Sequence, residues 1–296
     1  MITPIKNHSL SESHMTLRRR LPPSETRTIQ QIREHYEIEK ELADRLRHAP
    51  REERLQLYSS LYDELYQQVP LHSMLIRKSS PERTEMMVRL QLKFLRSFLK
   101  NEIKFLEIGP GDCALSFAVC RLAKEVYAVD VSQEITKSST APANFHLLLS
   151  DGCSVPVPPE SIDLAYSYML MEHLHPDDAF DQLRNIYEAL VRGGTYVCIT
   201  PNRLTGPHDI SKYFDEFATG FHMKEYTTRE LSDLFRKVGF ARVRAYVGAR
   251  GHYMSAPVPL IALGELFLEK LRYAARKVFA LNLPLPLPDI RLVGVK

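Results

Sequence analysis

The 296-residue sequence contains no tryptophan and only four cysteines. Cys113, Cys120, Cys153 and Cys198 show no C-x-x-C spacing, which argues against a disulfide framework and the common zinc motifs. Reduced, buried thiols are therefore expected. No uninterrupted apolar run reaches the roughly 18 residues of a membrane-spanning helix, and the opening MITPIKNHSLSESHM lacks the apolar core of a signal peptide. A cytoplasmic protein without a membrane span is the expectation. Nor does one sign of charge dominate: 39 basic and 36 acidic side chains give a net charge of +3. They are scattered along the chain, so nucleic acid is not an expected partner. The short cluster Arg18 to Arg20 reads as part of a solvated N-terminus.

Against these absences, the chain is long enough to bury a substantial core. Residues 1–25 are polar, carry Pro22 and Pro23, and read as a loose arm. A helical N-terminal extension is expected over 26–80. In it Leu55, Tyr58, Leu61, Tyr62 and Leu65 recur at helical spacing, forming a stripe that must pack on the following domain or join two chains as a homodimer. From 81 to 296 the pattern predicts an α/β fold, a doubly wound, mostly parallel sheet of seven strands. The strands are IKFLEI, EVYAVD, FHLLLS, IDLAYS, TYVCIT, ARVRAYV and IRLVGV. Gly193 and Gly194 are expected to close the helix that begins near Asp177. Thr227 and Glu230 form a capping box for a helix closing near Gly239. A helical insertion at 254–289, bounded by prolines, carries Leu263, Leu266, Phe267, Lys270, Leu271 and Ala274 at helical spacing. That helix would pack on the sheet edge, cover an apolar substrate, or meet a membrane surface.

The stretch FLEIGPGDC, Phe105 to Cys113, carries the first chemical signal. Glycines straight after a strand let a ligand approach the backbone. With Ala114, Gly109 and Gly111 also fit the dinucleotide pattern G-x-G-x-x-A, which would make the chain a nicotinamide-dependent oxidoreductase. Glu107, just before the glycines, would repel a pyrophosphate and suits a cationic amino group. Asp130 ends the second strand, where a carboxylate can accept both ribose hydroxyls. Asp151 and Gly152 follow the third strand; Asp151 could accept from an adenine amine, or Asp-Gly could simply be a turn.

In this order the motifs FLEIGPGDC, AVD, SDG, IDLAYSYMLMEH and VRGGTYVCIT resemble the class I S-adenosylmethionine-dependent methyltransferases. The resemblance implies a Rossmann-like methyltransferase fold with S-adenosyl-L-methionine as cofactor. By the same resemblance the cofactor is held by Glu107, Gly109, Gly111, Asp130, Asp151 and Gly152, with Ser167 at the end of the fourth strand. The acceptor would be a small molecule with an apolar part, methylated on oxygen or nitrogen; a non-catalytic binding module is the alternative. A base should take the acceptor's proton, and His173 and His208 are the candidates, with His222, His252 and Tyr253 as further pocket residues. Some quinone O-methyltransferases carry a glutamate three residues before an EH pair and use a divalent metal. Met169 stands at that place before Glu172 and His173, so no metal is expected.

Overall fold

The computed structural model describes residues 17–23, 25–72, 80–100, 102–131, 141–249, 252–282 and 289–296. Most of the expected arm lies outside them. Its described part is docked rather than loose: the Arg18 N–H donates to the Tyr213 carbonyl at 2.8 Å, and the Arg19 guanidinium sits 4.3 Å over the Tyr273 ring.

Eight strands form one sheet: β1 (Lys104–Ile108), β2 (Glu125–Asp130), β3 (Phe145–Leu149), β4 (Ile162–Tyr168), β5 (Leu190–Pro201), β6 (Arg242–Ala249), β7 (His252–Ala256) and β8 (Asp289–Val295). Their order is β3-β2-β1-β4-β5-β8-β6-β7. The first five pair in parallel, and β8 runs antiparallel between β5 and β6. The strand beyond the expected seven is β7, which folds back antiparallel on β6 and takes over the start of the segment read as an insertion.

The helices are α1 (Ile29–His48), α2 (Arg51–Gln68), α3 (Pro81–Leu95), α4 (Ala114–Val119), α5 (Pro176–Ala189), α6 (Thr228–Val238), α7 (Val258–Glu269) and α8 (Tyr273–Asn282). The Thr227/Glu230 capping box opens α6 and Gly239 closes it, as expected. The expectation for Gly193 and Gly194 fails: α5 passes at Leu190 directly into extended chain, and both glycines lie inside β5.

Leu57, Tyr58, Leu61 and Leu65 of α2 share one core with Leu106, Ile108 and Val129 of the sheet. These four side chains are thereby consumed within the chain and are not available to a second subunit. Helix α2 lies across the loops that leave the carboxyl ends of β3 and β4. Arg54 holds Asp178 in the first turn of α5 through two hydrogen bonds of 2.7 Å, and Tyr58 adds a third at 2.8 Å. Asp178 is fully buried. Helix α1 lies on the loop after β5, where Arg47 donates to the carbonyls of Thr219 and Gly220.

Gly152 is pinned by this packing. Its φ is +92°, and a Cβ there would stand 2.8 Å from the Tyr58 ring. Gly152→Ala is therefore expected to cost about 2 kcal/mol, from left-handed strain plus overpacking. The check is a lower urea midpoint at unchanged slope.

Helix α7 has the helical character expected of this segment. Leu263, Leu266 and Phe267 point outward, while Val258, Ala262, Glu265 and Leu268 are buried. The inward face is fixed by Glu265, which accepts from Asn202 Nδ2 at 2.8 Å and from the Thr228 hydroxyl at 2.6 Å. Among the described residues no helix is long and apolar enough to cross a membrane.

Candidate active site

The loop after β1 turns through three left-handed residues, Gly109 (φ +67°), Gly111 (φ +59°) and Cys113 (φ +57°). Nothing lies within 4 Å of a Cβ placed on Gly111, so the backbone is open there, whereas Gly109 is covered by Leu170 from the β4 loop. Glu107 is buried at the end of β1 and accepts from the Ser116 hydroxyl at 2.5 Å. Loss of solvent pushes its carboxyl up to about 8 against the pull of Ser116, and Asp112 and Asp130 add repulsion. A pyrophosphate would meet Asp112, Asp130 and the buried Glu107 carboxyl here, and α4 has only six residues to offer it a helix end. A cationic ligand would restore the charge of Glu107. The geometry therefore fits an aminoacyl sulfonium and opposes a dinucleotide.

The other sequence-predicted cofactor residues occupy varied surroundings. Asp130 ends β2, half-buried. Asp151 accepts from the N–H groups of Cys153 and Ser154 at 3.0 and 2.7 Å through one oxygen, the turn foreseen for Asp-Gly. The space beside Gly152 is filled by Tyr58. Ser167 is buried and its hydroxyl bonds that of Tyr196 at 2.7 Å. All four cysteines are buried free thiols.

Beyond β4 the chain makes a short 3-10 turn, Met171–His173. Glu172 is buried there and accepts from the Thr200 hydroxyl at 2.8 Å. The loop carrying residues 221–225 is clipped onto this turn: Lys224 N–H donates to the Glu172 carbonyl at 3.1 Å, and His173 Nδ1 lies 3.1 Å from the Phe221 carbonyl. Tyr62 of α2 brings its hydroxyl within 2.8 Å of the same nitrogen. Burial pushes Glu172 up to about 7 and His173 down to about 3. Burial also works against charge on His222, but Glu225 at 2.7 Å, helped by Asp209 and Glu172, outweighs it and lifts the ring to about 9. His173 keeps 27% of its side-chain surface exposed.

His208 is separate from this cluster. Its Nε2 is 3.0 Å from the Thr205 hydroxyl and 3.2 Å from the Asn202 carbonyl, and its backbone N–H donates to Glu225 at 2.7 Å, so it holds the shape of its own loop. His252 and Tyr253 lie on the edge strand β7, with the Tyr253 ring 4.8 Å from that of Phe94. Sequence reasoning missed Tyr62, Glu225 and Glu39; no spacing rule connects them to the EH pair.

Residues 106–198 match the model of the methyltransferase domain family. That stretch of the chain is a methyltransferase domain. Solved structures share the methyltransferase's fold. One is a SAM-dependent methyltransferase from Archaeoglobus fulgidus, with 19% identity, TM-score 0.51, and 72% of this chain and 94% of that one covered. Another, from Nostoc punctiforme PCC 73102, is assigned as an O-methyltransferase, with 15% identity, TM-score 0.50, and coverage of 90% and 69%. No curated protein matches the methyltransferase sequence.

Proposed function

We propose that the enzyme transfers a methyl group to an oxygen or nitrogen of a small molecule with an apolar part. The observation that carries this reading is a cavity of about 390 Å³ with one apolar patch, Leu204, Pro207, Phe217 and Met223, beside His222, and charged residues such as Arg203, Glu216 and Arg276 around it. It adjoins the Glu172, His173 and His222 cluster, so an apolar body and a reacting polar atom can be held together. Glu107, Asp130 and the open backbone at Gly111 hold the donor's amino group and ribose, with Asp151 and Gly152 in the adjoining loop and Ser167 beneath it. When bound, the donor supplies a methyl carbon whose bond to sulfur breaks with its electron pair as the acceptor atom attacks. The chain's part is to align the acceptor, exclude water and handle the acceptor's proton. His173 serves on the acceptor side. His208 supports that side through the loop it shapes.

The domain plan follows the same lines: a helical extension over 26–80 caps the catalytic domain of 81–296, and location in the cytoplasm suits a soluble acceptor. The test is to incubate a cell extract with the protein and isotopically labelled donor, then follow the label by mass spectrometry. A labelled small, partly apolar product is expected. Label found solely in macromolecules would overturn the acceptor class.

A further inference from the structure

Under the helical cap lie two groups, His35, Glu39 and His72, and Glu172, His173 and His222. In each, one donor atom per residue lies within 4.8 Å of the others. Their compositions are alike and their surroundings are opposite.

In the first group Arg27 Nη1 lies 2.8 Å from His35 Nδ1. A guanidinium has no lone pair, so the ring proton sits on Nε2 and is given to Glu39 at 2.8 Å. Both nitrogens of His35 are spent, and a fixed cation stands beside them. Glu39 in turn accepts from the Phe221 N–H at 3.0 Å. This group is a relay fastening α1 to the loop, and it repels a metal ion.

The second group has the reverse pattern. The Phe221 carbonyl can accept and cannot donate, so with the Tyr62 hydroxyl accepting too His173 carries its proton on Nδ1 and leaves the Nε2 lone pair available. The Glu225 carboxylate accepts from His222 Nδ1 at 2.7 Å and orients the opposite nitrogen, which would bind a metal ion in exchange for its own proton. Glu172 is fixed through Oε2 by Thr200, and its Oε1 stands 3.9 Å from His173 Nε2, too far for a hydrogen bond. Imidazoles oriented through Nδ1 by a carboxylate and by a backbone carbonyl are the outer support that metal ligands require.

We infer that Glu172, His173 and His222 bind one divalent transition-metal cation. Two imidazoles and one carboxylate suit Zn²⁺, Mn²⁺ or Fe²⁺ better than Mg²⁺ or Ca²⁺. Ligand atoms at about 2.1 Å from such an ion are about 3 to 3.5 Å apart, so the group needs only a small contraction. Three protein ligands leave coordination positions open, and His222 lines the cavity, which places the ion at the cavity wall. There it would lower the pKa of a coordinated acceptor group. That last role rests on the methyl-transfer reading; the binding itself does not. Met169 argued against a metal on sequence grounds, but the third ligand comes from the 221–225 loop instead.

The experiment uses the full chain, stripped with a chelator and titrated with Zn²⁺ alone by calorimetry. One site per chain is expected, weakened at least tenfold by Glu172→Gln or His222→Gln and unchanged by His35→Gln. Co²⁺ absorption of the wild-type chain supplies a second readout: bands of a protein-bound ion support the site, and the pink spectrum of the free aquo ion overturns it. That readout decides the matter even where a variant fails to fold. No saturable Zn²⁺ binding, or loss in His35→Gln with retention in His222→Gln, also overturns the inference. S-adenosylhomocysteine is titrated into the same samples. Its binding without metal binding sinks this inference and leaves the methyltransferase reading intact, while metal binding without it does the opposite.

Discussion

Arg54→Met is expected to lower the unfolding free energy by about 3–5 kcal/mol, the usual cost of leaving one member of a buried ion pair alone. Asp178 is fully buried and depends on Arg54 for two of its three side-chain hydrogen bonds. Methionine fills a similar volume and returns neither bond. For a chain of this size the loss corresponds to a fall of about 10 °C in melting temperature. The effect carries a pH signature. Burial alone would raise the Asp178 carboxyl, but Arg54 and Tyr58 outweigh it and hold it below its ordinary range. The pair's contribution is present above the unfolded carboxyl's pKa and is lost as pH falls through the lower folded value. The gap between wild type and Arg54→Met should accordingly shrink in acid. Urea melts at pH 7 and in the acid range check both points, and a gap that widens in acid would contradict the pairing.

The second large effect concerns Glu107. Its carboxyl, pushed up to about 8 by burial, holds a proton in the folded chain across a window where the unfolded chain, at about 4.5, has lost it. In that window this group lowers stability as pH rises. A cationic amino group bound beside it favours the carboxylate and expels the proton. Affinity for S-adenosylhomocysteine is therefore expected to increase with pH up to about 8. Calorimetry in buffers of different ionisation enthalpy should show release of up to about one proton per site near pH 7. Glu107→Gln should weaken binding about 10- to 100-fold, the worth of a hydrogen bond to a charged group, and abolish the proton release. Release that persists unchanged in Glu107→Gln would remove Glu107 from the donor's site.

The residues proposed for the donor side could be picked out because each follows a strand in its own short motif. Glu107, Asp130 and Asp151 end or follow β1, β2 and β3, strands announced by runs of apolar residues. The acceptor side was not legible in the same way. Residues 221–225 reach the EH pair only because Lys224 and Phe221 bond the Glu172 turn, a contact set by the sheet rather than by spacing. Strand β7 went unread because its five residues sit on the sheet edge without alternating burial. Helix α7 showed its period but not its facing: periodicity finds a stripe, and Asn202 and Thr228 fix Glu265 inward. Gly193 illustrates the remaining ambiguity, since a left-handed glycine after a helix can equally bend the strand that follows.

The clasp between Arg54 and Asp178 spans 124 residues of chain. During synthesis the two N-terminal helices emerge first, and their partner follows about 6 to 25 s later at ordinary translation rates. For the first part of that interval the stripe of Leu57, Leu61 and Leu65 has α1 beside it but lacks its sheet partners Leu106, Ile108 and Val129. The cap is thus made well before the residue that clasps it, and it is secured late.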